Sequence, residues 1–296
     1  MKKCKKFYII KKLYETKLSI IFLCEYYNED YFINHLKMNV VIKVYKRYEI
    51  YKNTNELKKN IMLSTYKIPN LCKILGKLRN NDKMIYKDTR TLYNHNGYGI
   101  IMEYIRGMPL DIFIDNIEYT DDVLFYIIYQ ILVIFDAYHS NGYMHCDIKP
   151  SNIIINSKFD ITILDFQFAN NNEINNRVCG TYLYMAPEVL KHELYTYKCD
   201  IYSMGLIVYK LIEKKDLFLS IYPDEFNFNK RNESRLINGF SPEVIREHCK
   251  NKIWTTYPEV LHIIIKWLNP DPDKRKSKNS SRLIPIFSQS SFNILF

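Results

Sequence analysis

Apolar runs broken by short polar turns dominate the first hundred residues, and they predict strands. Phe7–Glu15 and Leu18–Tyr26 are apolar-rich with a short turn between them, and Asn39–Tyr45 (Asn-Val-Val-Ile-Lys-Val-Tyr) is a third strand. Thr54–Thr65 reads as a helix. Leu71–Leu78 and Tyr98–Tyr104 read as two further strands, separated by a polar loop rich in Asn and Asp. Thr120-Asp121-Asp122 is a helix start, an N-cap with an acidic first turn. Val123–His139 follows, apolar nearly all round and therefore a buried helix, which Gly142 ends. Two short β-type runs come next, around Ile153-Ile154-Ile155 and at Ile161–Leu164, and Leu206–Ile212 continues another buried helix.

Composition bounds the class. The chain has 296 residues, 47% apolar and 15% aromatic, enough core for one large or two small domains. Its longest apolar run, Ile127–Phe135, is interrupted by Tyr129 and Gln130 and falls short of a membrane span. The basic start Met1–Lys6 is followed only by Phe7–Ile10 before Lys11-Lys12, too short for a signal-peptide apolar region. Seven cysteines without a C-x-x-C pair predict free thiols in a reducing compartment, so the expected location is intracellular, cytoplasmic or nuclear. The net charge of +10 comes from scattered lysines in a chain also rich in Asn, Ile and Tyr. That pattern points to codon composition, and neither a nucleic-acid nor a membrane partner is expected.

The chemistry concentrates in Tyr143–Asn156 (Tyr-Met-His-Cys-Asp-Ile-Lys-Pro-Ser-Asn-Ile-Ile-Ile-Asn), between the long helix and a β-type run. It places Asp147, Lys149 and Asn152 on one turn: a carboxylate, an ammonium and a carboxamide. Asp165 follows at the end of the Ile161–Leu164 run. Asn plus Asp at the mouth of a hairpin suits the hard cation Mg²⁺, while Asp147 is a candidate proton acceptor. Upstream, Lys43 lies inside a Val/Ile strand, where an ammonium needs an anionic partner.

This stretch resembles the catalytic and metal loops of eukaryotic protein kinases, His-Arg-Asp-x-Lys-x-x-Asn followed by Asp-Phe-Gly. Here the motifs read His145-Cys146-Asp147 and Asp165-Phe166-Gln167. The resemblance continues in order: Val40-Val41-Ile42-Lys43 for Val-Ala-Ile-Lys, Ile101–Gly107 for the hinge, Ala186-Pro187-Glu188, Asp200–Gly205 for Asp-x-Trp-Ser-x-Gly, and Asn269–Arg275 for the late Arg motif. It implies an α+β fold of two lobes across 1–296: a small antiparallel sheet of five strands with one helix over 1–104, and a mostly α-helical lobe over 105–296. ATP and Mg²⁺ are the implied cofactors, a protein the implied substrate, and a monomer the implied state.

The resemblance also assigns roles. Lys43 binds phosphates, paired with Glu56, although counting back from Pro69-Asn70 puts Lys59 at that position instead. Leu13, Ile21, Val41, Met102 and Ile154 line the adenine site, with Met102 as gatekeeper, and the backbone of Glu103 and Ile105 bonds the base. Asn152 and Asp165 hold Mg²⁺. Asp147 is the base, Lys149 stabilises the transferring group, and Thr181 after Gly180 marks a Ser/Thr-type arrangement. Asp200 holds the catalytic-loop backbone, and Arg275 pairs with Glu188. His145 is expected to be structural.

Two departures stand out. Leu13–Ile21 aligns with the glycine-rich loop, yet Tyr14, Thr16 and Ser19 occupy its glycine positions. Cys146 replaces the Arg that receives an activation-segment phosphate in many kinases, and Asp165–Gly180 contains no Ser, Thr or Tyr. The segment is therefore expected to take its working shape unphosphorylated, through its own Asn and Arg side chains. Two alternatives to an active protein kinase stand beside this reading: a pseudokinase scaffold, and a small-molecule kinase of related fold, against which Lys149, Ala186-Pro187-Glu188, Asp200 and Arg275 argue. Surface insertions are expected at 28–38 and 214–256, and a lobe-packed tail at Ile284–Phe296.

Overall fold

The β-branched runs at the start of the chain form β1 (Lys6–Glu15), β2 (Ser19–Tyr27) and β3 (Lys37–Tyr45). The computed structural model describes residues 4–27, 37–54, 56, 58, 59, 63, 68, 70–171, 175–224 and 230–275. A short helix, α1 (Tyr48–Thr54), precedes the expected one. Of the expected helix, Glu56, Lys58, Lys59 and Leu63 are helical and the other residues of 55–65 lie outside the described residues. β4 (Ile74–Leu78), β5 (Lys83–Tyr86), β6 (Leu92–Tyr93) and β7 (Gly99–Glu103) complete the first unit, Met1–Lys67 with Leu71–Arg106.

The sheet has seven strands in the order β4-β7-β3-β2-β1-β5-β6, not the five expected, and β1 and β5 run parallel. The polar loop between β4 and β7 thus folds as an extra hairpin. Its anchor is Met84, which is fully buried against Phe7 and Phe22 in the apolar cluster on one sheet face. Burying one such side chain contributes roughly 1.5–3 kcal/mol, enough to recruit a strand of four residues that carries too little pattern to be read. Period-two alternation sends Phe22 and Cys24, then Val40, Ile42 and Val44, into that cluster. The ladder registers Ile21↔Lys43↔Ile100 and Leu23↔Val41↔Met102 place those six side chains together on the opposite face.

The second unit comprises Ile68–Asn70 and Gly107–Phe296. A small antiparallel sheet, order β10-β9-β8, is built from β8 (Met108–Pro109), β9 (Ile153–Ile155) and β10 (Ile161–Ile163). Its helices are α2 (Leu110–Asn116), α3 (Asp121–Ser140), α4 (Pro187–Leu190), α5 (Lys198–Glu213), α6 (Leu217–Ile221), α7 (Lys230–Ile237), α8 (Pro242–His248), α9 (Ile253–Thr256) and α10 (Pro258–Trp267). Thr120 Oγ1 accepts from Val123 N at 3.4 Å and caps α3 as expected. By length and composition α3 is apolar enough to cross a membrane, which differs from the sequence reading. Here half of its residues are buried among the other elements, as in a core helix.

α5 is buried along most of its length, and a Cβ on Gly205 would come within 2.9 Å of Leu268 Cδ2, so a side chain there would push that buried leucine aside. The polar stretch 214–256 is not a surface appendage, because Leu217, Phe218, Leu236, Phe240, Ile245 and Trp254 are all buried. Sparse apolar positions among many charges had hidden a helical layer. The inserted residues 28–36 and the tail Ile284–Phe296 lie outside the described residues.

Candidate active site

After α3, Gly142 turns the chain at φ +76°. Met144 pairs with Asn170 through two backbone hydrogen bonds of 2.8 and 2.9 Å, tying the catalytic stretch to the segment that follows Asp165. The next turn is held from outside. Asp200, at the start of α5, accepts from His145 N at 2.7 Å and Cys146 N at 2.9 Å. Cys146 takes a left-handed φ of +65°, uncommon for a residue with a side chain. The two bonds to one buried carboxylate hold it there and present Asp147. Burial alone would push Asp200 up, but the hydrogen bond from His139 at 3.0 Å, the charges of His139 and His145 and the His145 N–H outweigh it, holding the carboxyl below its ordinary value. His145 is fully buried, its ring against Phe166 and its Nε2 3.2 Å from Leu164 O, a packing role as expected.

Four of the expected residues converge. Thr181 Oγ1 donates to Asp147 Oδ1 at 2.8 Å, and Lys149 Nζ donates to the same hydroxyl at 2.8 Å while lying 3.3 Å from Asp147 Oδ2. Asn152 Nδ2 donates to Asp147 O at 2.9 Å and Oδ2 at 3.2 Å. Gly180 makes this approach possible: its φ is +107°, and a Cβ would lie 2.5 Å from Cys146 O. The arrangement is a buried carboxylate with a hydroxyl on one oxygen and cations or amide donors on the other, the geometry of a base waiting on an alcohol.

Because the Asn152 amide nitrogen is turned to Asp147, its carbonyl oxygen is the atom that faces away. Leu164 N donates to Asn152 O at 2.8 Å, so the backbone leading into Asp165 is fixed to Asn152. Asp165 itself has φ +60° and accepts from Gln167 N at 3.4 Å. An amide oxygen and a carboxylate on adjoining turns form a hard, oxygen donor set, and the residues present fit Mg²⁺. Gln167 stands where the kinase pattern has glycine; it is not among the residues of positive φ, so the position makes no demand for glycine here. Phe166 is buried against Tyr138 and His145. Ile154 lies in β9 opposite Pro109.

Leu13, Ile21, Val41, Lys43, Glu56, Met102, Glu103 and Ile105 belong to the first unit. Lys43 Nζ lies 3.0 Å from Glu56 Oε2, both side chains almost completely buried, and Tyr45 OH donates to the same oxygen. The ambiguity between Glu56 and Lys59 is thereby resolved in geometry. Tyr45 was missed; its place two residues beyond Lys43 on a strand, hence on the same face, was the available signal. Ile21, Val41, Lys43 and Met102 share one sheet face by register, and Leu13 lies at a bulge in β1, half exposed. Glu103 N donates to Lys73 O at 3.0 Å, and its carbonyl accepts from the Cys72 thiol at 3.9 Å.

The turn between β1 and β2 is not a glycine loop. Tyr14 pairs with Ile21 within the ladder and Ser19 begins β2, so the strands continue to a tight turn at Thr16. Thr16 Oγ1 accepts from Leu18 N and Ser19 N, each at 3.0 Å. Two of the turn's N–H groups are thus occupied by a side chain. Beyond Asp165, the segment is held by backbone pairing of Asn170 with Met144 and of Asn175 with Tyr195, and from within by Arg177 N donating to Asn175 Oδ1 at 3.1 Å and by Arg177 over the Phe168 ring. Residues 172–174 lie outside the described residues.

Arg275 and Glu188 form a two-pronged buried ion pair at 2.6 and 2.8 Å, and Arg275 also donates to the carbonyls of Lys198, Asn269 and Pro270. Comparison with known proteins agrees with this arrangement. The protein kinase domain model matches residues 34–285, beginning past β2. The mitogen-activated protein kinase kinase kinase mom-4 of Caenorhabditis elegans is 33% identical over 152 residues, 48% of this chain and 27% of the relative. A probable serine/threonine-protein kinase 2 of Plasmodium falciparum is 34% identical over 176 residues, 54% of this chain and 34% of the relative. Mitogen-activated protein kinase 13 of Arabidopsis thaliana is 32% identical over 176 residues, 53% of this chain and 48% of the relative. The matches therefore span less than half of each of these relatives. A family match over most of the chain, joined to the ordered motifs and their observed contacts, shows that the chain belongs to the protein kinase domain family.

Proposed function

We propose that this protein transfers the γ-phosphoryl group of ATP to a serine or threonine hydroxyl of a protein substrate. The observation that carries this reading is the Thr181 hydroxyl donating to Asp147 Oδ1 while accepting from Lys149 Nζ. Asp147 takes the proton of the acceptor hydroxyl, and Asn152 keeps its carboxylate turned toward that hydroxyl. Lys149 steadies negative charge on the transferring group. Lys43, fixed by Glu56 and Tyr45, holds the nucleotide phosphates. Ile21, Val41 and Met102 present an apolar sheet face to the base. Mg²⁺ held by Asn152 and Asp165 supplies positive charge for the phosphates. The names of the relatives and the Lys149–Thr181 contact support the Ser/Thr assignment. The Asn170, Asn175 and Arg177 contacts support an activation segment ordered without phosphate.

A second reading, a scaffold that no longer transfers phosphate, is favoured by the Thr16 turn, whose N–H groups are taken up internally. Calorimetry with Mg²⁺-ATP on the native chain and on Asp165→Asn separates the two. Binding that depends on Asp165 supports the enzyme, and absence of binding supports the scaffold.

A further inference from the structure

Three cysteines from separate parts of the second unit meet behind the catalytic turn. Cys146 belongs to that turn, Cys179 to the end of the activation segment and Cys199 to the first turn of α5. Cys146, Cys179 and Cys199 line one cavity together with Asp200. The sulfurs of Cys146 and Cys199 and a carboxylate oxygen of Asp200 all lie within 4.8 Å of one another. Cys199 Sγ is 3.9 Å from Asp200 Oδ1, and Cys179 Sγ is 3.3 Å from Tyr195 OH. A cavity of about 10 Å³ opens among these residues, the space of roughly one water-sized sphere.

We propose that Cys146, Cys179, Cys199 and Asp200 bind one thiophilic divalent cation of the Zn²⁺ class. Sulfurs about 2.3 Å from a tetrahedral Zn²⁺ are about 3.8 Å apart, a separation the Cys146 and Cys199 sulfurs, within 4.8 Å of each other, allow, and Cys179 lines the same cavity. Three soft donors with one oxygen select such a cation over Mg²⁺. Each thiol releases its proton to solvent as its sulfur bonds the metal, so no oxidant or reductant is required. Asp200 Oδ1 receives one backbone N–H and keeps a lone pair on the Cys199 side. The anionic cluster is offset by the N–H groups of His145 and Cys146 and by His139. The cation ties the activation segment to the catalytic turn and to α5. An arginine at position 146 would join those elements only through a phosphorylated segment, and this segment carries no acceptor before Thr181.

The test is titration of the full chain, reduced with a phosphine and freed of metal by chelation, with Co²⁺ alone. The expected result is a thiolate-to-cobalt charge-transfer band that saturates at one equivalent, is displaced by Zn²⁺ and is unaffected by Mg²⁺. Cys146→Ser and Cys199→Ser, each checked for native circular dichroism, weaken binding about tenfold or more, and Cys249→Ser leaves it unchanged. Zn²⁺ also slows proteolytic cleavage between Asp165 and Glu188. A folded wild-type chain without a saturable band overturns the proposal. So does a band that survives both substitutions, or a Cys146–Cys179 disulfide formed in place of metal uptake.

Discussion

The Thr181 hydroxyl donates to Asp147 Oδ1 at 2.8 Å and receives Lys149 Nζ at the same distance. One side chain of the activation segment thus bridges the candidate base and the candidate cation, so the segment's shape and the site's geometry are a single property. Removing the hydroxyl loosens both partners without exposing a large apolar surface. Thr181→Ala should lower kcat by about 10- to 100-fold with little change in KM, as expected for misplaced reacting groups, and Thr181→Ser should restore it. Steady-state kinetics check this; an unchanged kcat in Thr181→Ala counts against the bridge.

Lys43 and Glu56 are each almost fully buried. Taking away one charge leaves the other in a poor medium, a cost of about 3–5 kcal/mol for a buried pair. Lys43→Met should therefore lower thermal stability as well as abolish transfer. Lys43→Met combined with Glu56→Gln should regain much of the stability, since the Gln amide can still accept from Tyr45, yet stay inactive. Calorimetric melting beside a transfer assay distinguishes these outcomes; a double variant as unstable as Lys43→Met contradicts the pairing.

The turn at Thr16 withholds two N–H groups from any anion. A hydrogen bond to a charged group contributes roughly 1.5–3 kcal/mol, about tenfold or more in Kd. Tyr14→Gly with Thr16→Gly should tighten Mg²⁺-ATP binding by about that factor, read by isothermal calorimetry. Equal affinity in the two proteins means that phosphate is held without this turn.

Asp200 contributes to the pH dependence of stability. Burial opposes its charge, but His139 and the His145 N–H hold its pKa below the ordinary 3.8. The unfolded chain therefore takes up this proton first. The stabilisation is complete above the unfolded value and is lost as pH falls through the folded one. Asp200→Asn should cost about 1–3 kcal/mol for each backbone N–H left poorly paired. It should also flatten the fall in denaturant midpoint below about pH 4. An acid limb as steep as that of the native chain would show that other carboxyl groups dominate.

Much of this was legible in the sequence. The three first strands, the capped helix α3 and the Asp147–Asn152 turn carry strong local patterns, and Arg275 and Glu188 were matched through ordered motifs. What escaped was set by distant contacts. The hairpin β5–β6 depends on Met84 reaching Phe7 and Phe22 across the sheet, which no window of four residues reveals. The buried layer in 214–256 escaped because Leu236, Phe240 and Ile245 are widely spaced among charges. The Thr16 turn was read as a degenerate glycine loop because alignment by position ignores that a threonine hydroxyl satisfies a turn by itself. The meeting of Cys146, Cys179 and Cys199 follows from a fold that their spacing does not announce.

Asp147 is the residue on which phosphoryl transfer rests. Its most direct test is incorporation of γ-labelled phosphate into a mixed Ser/Thr acceptor protein, comparing the native chain with a folded Asp147→Asn variant at saturating Mg²⁺-ATP. The expected result is phosphoserine and phosphothreonine with the native chain and a loss of about 100-fold or more with Asp147→Asn at unchanged ATP affinity. Transfer by Asp147→Asn at the native rate, or no transfer by a native chain that binds Mg²⁺-ATP, would contradict it.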